Sequence, residues 1–322
     1  MPNRCTRTPP TTPATRWPLL FGLLLVVALG SGCRREPAPI EGAPAEPVEA
    51  VQALAGALRE GDLVRYARLS VPPAMYAEQQ QLWRQSLLSA APVDPVEAER
   101  WRGLMAALTA PDAEAALWAR VEPRLQDLEQ QVGPSWEVAV GMMPGFAAAA
   151  IAAHPALSEA EKAHARSLVE AVSAWAGDQA RLTDPARAQA AIAVAVRTAR
   201  ALQLPELEGL RKLELEAALT KGSVALEGFK ALAAAYGIDL DAALAQVEAE
   251  VIALEGDHAT LRVRYPLLGQ VVEFEQPMVR IDGGWYRAEA VESHRRAMAA
   301  EAEAAAEAQG EAAAAAPAAA TP

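Results

Sequence analysis

Hydrophobic positions along the chain follow three patterns. The first is an unbroken apolar run from Trp17 to Leu29, followed by Gly30, Ser31 and Gly32 and then Cys33. It is shorter than the about 20 residues that a membrane span needs, and no later stretch reads as long and apolar enough to span. The second pattern has a helical period. Val48, Val51, Leu54, Ala55 and Leu58 share one face of a helix over 48–58. Gly61 can end that helix and Asp62 can cap another over 63–69, before Pro72 and Pro73 break the chain.

From 74 to 247 the residues are strong helix formers, and punctuation sets the boundaries. Asp94-Pro95, Pro111 and Asp184-Pro185 start helices. Pro123 kinks or divides one, and Ser158 with Glu161 forms a capping box. The helix from 185 carries Ile192, Val194 and Val196, which reads as buried, and Ser223 and Gly237 bracket a later one. Trp83, Trp101, Trp118 and Trp175 fall on separate helices as expected core anchors. No fixed-period repeat is present.

The third pattern alternates from about Val251 and is divided by Gly256-Asp257, by 266–269 and by Asp282-Gly283-Gly284. A two-residue turn at Gly256-Asp257 pairs Leu254 with Ala259 and Ile252 with Leu261. A four-residue turn at 266–269 pairs Val263 with Val272 and Leu261 with Phe274. Both turns place Ile252, Leu254, Leu261, Val263, Val272 and Phe274 on one face, with Arg262 opposite Glu273 on the other. The predicted fold class is therefore α+β and predominantly helical. A helical body over 48–247 carries a C-terminal antiparallel β-meander of three to four strands over 248–291, packed on that body. An Ala/Glu-rich helix and disordered tail follow over 292–322.

Charge and cysteine usage add a location. Arg4, Arg7 and Arg16 precede or flank the first apolar run, with no acidic residue before Cys33. A basic start, an apolar middle and a small-residue end form the layout of a secretory signal. With Cys33 directly after the small residues, the stretch 1–33 resembles a bacterial lipoprotein signal. That resemblance implies loss of 1–32, lipid attachment at Cys33, and an envelope location facing the periplasm, with an uncleaved anchor as the alternative. The stretch 33–47, rich in Pro, Ala and Glu, reads as a disordered tether. Only Cys5 and Cys33 occur among the 322 residues, so the body has no thiol for a disulfide, a nucleophile or a thiolate metal site. The net charge is −12 and all three leader arginines are positive, so the body is more acidic than the whole. Such a body repels phosphate backbones and excludes nucleic acid as the expected partner.

A short helix followed by Gly61-Asp62-Leu63, with a terminal meander closing on Asp282-Gly283-Gly284-Trp285-Tyr286, resembles the α+β roll of nuclear-transport-factor-like and cystatin-like domains. The resemblance covers 48–69 and 250–291. It implies an N-terminal helix packed into a curved sheet, with the roughly 180 residues between as a long helical insertion.

Candidate chemistry is sparse. Glu161 and His164 have the Glu-x-x-His spacing of di-iron carboxylate bundles, but the other match, Glu255 to His258, falls on a hairpin turn. The expected role of the first pair is an exposed helical contact. His154 and His258 read as loop and turn residues and His294 as a residue of a solvated helix; none fits a zinc pattern. No nucleophile elbow, P-loop or dinucleotide fingerprint occurs, and no cofactor is expected. Arg262, Arg264, Arg280 and Arg287 could form a basic patch on the sheet, neutralised by Glu273 and Glu275.

Trp136, Met142, Met143 and Phe146 lie in an apolar helix interrupted by Gly141, Pro144 and Gly145. They read as a flexible groove for a hydrophobic ligand or an envelope protein, or as a kinked core helix. The expectation is a membrane-anchored, non-catalytic binding or accessory module. An envelope enzyme using carboxylates and a structural scaffold are the alternatives.

Overall fold

A computed structural model describes residues 44–89, 92–132, 135–154 and 157–315, which belong to one compact unit. Cys33 and the apolar run before it lie outside the described residues. The architecture is α+β and mainly helical, with twelve α-helices, a short 3-10 helix (Leu207–Lys212) and one sheet among those residues. The helices are α1 (Pro47–Arg59), α2 (Leu63–Ser70), α3 (Pro73–Ser89), α4 (Pro95–Thr109), α5 (Ala113–Val132) and α6 (Trp136–Ala153). Then follow α7 (Glu159–Ala176), α8 (Gln179–Thr183), α9 (Pro185–Leu202), α10 (Leu215–Ala235) and α11 (Leu240–Ala245). Strands β1 (Glu248–Glu255), β2 (His258–Leu267), β3 (Gln270–Ile281) and β4 (Gly284–Arg287) form an antiparallel meander in the order β1-β2-β3-β4, and α12 (Ala288–Ala315) closes the chain. This last helix extends into the stretch expected to be a disordered tail, as far as Ala315; the remainder of that tail lies outside the described residues.

The helix starts follow local chemistry. Asp62, Asp94 and Asp184 each accept backbone N–H groups at the start of α2, α4 and α9, satisfying donors that the first turn leaves free. Ser158 and Glu161 form the reciprocal capping box at α7. Two readings need correction. Pro123 lies within a continuous α5 and does not divide it. Ser223 does not open a helix: it lies inside α10, and its hydroxyl accepts the Leu63 N–H at 3.0 Å, tying α2 to α10. The end of the tether is also held, since the Trp285 N–H donates to the Pro44 carbonyl at 3.0 Å.

The sheet alternates as expected, with Leu261, Val263 and Val272 buried, but both registers differ in detail. Ile252 bulges out of β1, so Leu261 pairs with Val251, whereas Leu254 does pair with Ala259. The second turn is two residues long: Leu268 and Gly269 both take positive φ (56° and 81°), and Leu267 pairs with Gln270. Val263 therefore faces Phe274, and Leu261 faces Gln276. A shift of two residues preserves the face. Ile252 and Leu254 are exposed on the β1 rim.

Two apolar clusters form on the inner face of this sheet. In one, Ala50 and Val51 of α1 pack on Ala259, Leu261, Val263, Met278 and Trp285. In the other, Ala171 of α7 and Ala243 of α11 pack on Leu267 and Val272. Complete burial of a side chain such as Leu261 contributes about 1.5–3 kcal/mol. The four expected tryptophan anchors are only half-buried. Trp83 and Trp101 use their indole N–H groups to bond the Leu213 and Leu204 carbonyls, while Trp285 is the one sealed in the core.

Candidate functional site

The two clusters do not merge. Between them lies a cavity of about 380 Å³, bounded by the inner face of β2 and β3 and by α1, α7, α10 and α11. Val51, Leu54, Ala55 and Leu58 come from α1, Leu226 from α10, and Leu240, Ala243 and Leu244 from α11. These are the helical positions that the apolar period directs at the sheet. The volume lies in the range of small-molecule pockets, which are mostly apolar with a few placed polar groups.

The polar groups converge from separate elements. His164 of α7 stacks on Phe274, with ring centroids 4.0 Å apart at 14°, and its Nε2 lies 2.7 Å from the Tyr265 hydroxyl. Burial disfavours the imidazolium, and the neighbouring Arg287 charge adds to this, so the pKa of His164 is lowered. Burial pushes the Tyr265 phenol up to about 12.

Arg287, on β4, donates to the Tyr66 hydroxyl at 3.1 Å, to Glu161 at 3.2 Å and to Glu289 at 3.3 Å. Burial works against its charge, yet Tyr66, Glu289 and Glu161 outweigh it and the pKa is raised. Gln276 Nε2 donates to the Pro277 carbonyl and to Glu289, and Ser158 donates to Glu289 at 2.7 Å. At the other wall, Lys230 of α10 is 6% exposed. It donates to the Arg59 carbonyl at 2.6 Å, closing the end of α1, and pairs with Asp241 at 2.8 Å and Glu227 at 2.6 Å. Burial opposes its charge as well, but those carboxylates prevail and its pKa is raised.

Several sequence readings change here. The Glu161–His164 pair is not an exposed contact: Glu161 is committed to its capping box and to Arg287, and His164 faces the sheet. Arg262 and Arg264 lie on the outer face with Glu250 and Glu273, whereas Arg287 and Arg280 sit on the inner face, so the four arginines form no single patch. Arg280 instead pairs with Asp257 and covers the Trp285 ring. His258 opens β2 and is exposed, and His154 caps the end of α6.

His294 is 4% exposed rather than solvated, and its Nε2 lies 2.7 Å from Glu78, which fastens α12 to α3. Its Nδ1 is buried and has no hydrogen-bond partner among the described residues, although His294 borders a surface hollow with α2, α3 and α10. Among the described residues no cluster of three or more His, Cys, Asp or Glu could hold a metal ion.

Trp136, Met142, Met143 and Phe146 do not border the cavity. The Trp136 indole donates to the Ala176 carbonyl at 2.9 Å, which attaches α6 to α7. Met142, Met143 and Phe146 are exposed by 53%, 49% and 69%. The helix is thus not a buried core helix. By length and composition α6 is long and apolar enough to cross a membrane, contrary to the reading of the sequence, and 6% of it is buried. His164, Tyr265, Tyr66 and Lys230 were missed as site residues. The one available signal was a set of polar side chains interrupting otherwise apolar faces of α7, β2 and α10.

Compared with family models, with curated proteins and with solved structures, the chain matches none.

Proposed function

We propose that this protein is a non-catalytic binding module that holds a small hydrophobic molecule between α1, α7, α10, α11 and the sheet. The observation that carries this reading is the cavity of about 380 Å³ whose wall is largely aliphatic and includes no aspartate or glutamate. A wall without carboxylates, in which the one histidine is engaged by a tyrosine, supports binding over acid–base chemistry. The packing of α1 across the sheet supports the likeness to a cystatin-like roll, with the helices from α3 to α11 as the insertion. We further propose that the module is presented in the bacterial envelope on a lipid at Cys33, as its leader suggests.

The binding reading is tested by fluorescence titration of the full chain with the neutral probe N-phenyl-1-naphthylamine. Leu244 borders the cavity and is half-buried, so Leu244→Trp fills the space without displacing the sheet. Saturable binding by the wild-type chain that Leu244→Trp reduces at least about tenfold is expected. Equal signals from two chains with the same circular dichroism would reject the reading.

A further inference from the structure

We infer that the ligand of this cavity is a hydrophobic molecule with an uncharged head that both donates and accepts hydrogen bonds, such as a long-chain alcohol or amide, rather than a fatty-acid anion or a cationic amphiphile. The inference deepens the binding reading and rests on it. Two cations, Arg287 and Lys230, border the cavity, and each is already matched by two carboxylates outside the wall.

Consider an anionic head at Arg287. At hydrogen-bond distance, about 3 Å, it would sit roughly twice as far from Glu161 and from Glu289, each of which is bonded to the same guanidinium. Two repulsions at about twice the distance cancel one attraction, because Coulomb energy falls as the inverse of separation. The cost of stripping water from the anion is then left uncompensated. By the same arithmetic a cationic head gains nothing: repulsion by the adjacent guanidinium or ammonium cancels attraction to the two carboxylates behind it, and the wall offers it no carboxylate to touch.

An uncharged head finds both kinds of partner. The Tyr66 oxygen accepts from Arg287, so what Tyr66 offers a ligand is its own O–H. The Gln276 nitrogen is committed to Pro277 and Glu289, so what Gln276 offers is its carbonyl oxygen. One hydroxyl or amide group can accept from the first and donate to the second. The aliphatic wall from α1 and α11 suits the chain that follows such a head.

The test displaces N-phenyl-1-naphthylamine from the full chain with 1-decanol, decanoate or decyltrimethylammonium, all below their micelle concentrations at pH 7.5. Decanol should compete at a concentration at least about tenfold lower than either charged homologue. Equal or better competition by decanoate or by the ammonium compound overturns the head-group inference while leaving the binding reading intact. Absence of any saturable probe signal removes the binding reading and the inference together. A second arm uses Glu161→Gln with Glu289→Gln, which should shift the decanoate-to-decanol affinity ratio toward decanoate by at least about tenfold. An unchanged ratio overturns the charge argument. Should the double variant fail to fold, Glu161→Gln alone should move the ratio about threefold, since glutamine still completes the capping box; an unmoved ratio overturns it equally.

Discussion

Burial of the His164 ring against the sheet disfavours the imidazolium, and the nearby Arg287 charge adds to this, so the pKa of His164 is lowered. This links stability to pH. The folded-state pKa lies below the ordinary value of 6.5, so the unfolded chain binds more protons in the interval between them. The contribution is complete above pH 6.5 and is lost as the pH falls through that value toward the folded pKa, with a slope of up to about 1.4 kcal/mol per pH unit. Urea denaturation at pH 7.5 and 5.5 should show a larger acid loss for the wild type than for His164→Phe. Equal losses would mean that His164 titrates normally in the fold. None of this setting is written near His164 in the chain, since Tyr265 is 101 positions away. The Asp62, Asp94 and Asp184 caps, by contrast, depend on neighbours within three residues and were legible.

Between elements, α9 and α10 approach closely at Gly228. A Cβ added at Gly228 would stand 2.3–2.9 Å from the side-chain atoms of Thr198. Thr198 is branched at Cβ and held on a helix, so it has little freedom to yield. Gly228→Ala should therefore destabilise by about 1–3 kcal/mol through overpacking. Thr198→Ala in the same chain should restore most of that loss in chemical denaturation, whereas simple additivity of the two changes would contradict the close contact. Intrahelical spacing reveals an apolar face but not which small residue admits a neighbour, so Gly228 was not readable in advance. The hairpins show the same division. Asp282 and Gly283 take the positive φ values that an Asp-Gly turn announces, but Leu268 at φ 56° carries no such signature. Pro266 drew the expected turn two residues too wide, because in the fold it pairs with Val271 inside the strands.

For the molecule as a whole, fold class followed from composition and period, while the cavity did not. It is the gap where two clusters on one sheet face fail to meet, and it depends on contacts between α1 and α11, of which the first ends at Arg59 and the second begins at Leu240, so that they lie far apart in the chain. The placement proposed for the module predicts its own outcome. Cys33→Ser should move the protein from the membrane fraction to the soluble fraction of an envelope preparation. Retention on membranes would argue instead for an uncleaved anchor, or for attachment through the exposed face of α6.

The irregularity at Ile252 has a bearing on solubility. Strand β1 is paired on one side only and offers a row of unmatched amides and carbonyls, a template on which a second molecule could add. The extra residue twists that rim, and Glu248, Glu250 and Glu255 charge it. Together they make stacking of one molecule's border on another's unfavourable, which works against growth of chains of molecules joined edge to edge.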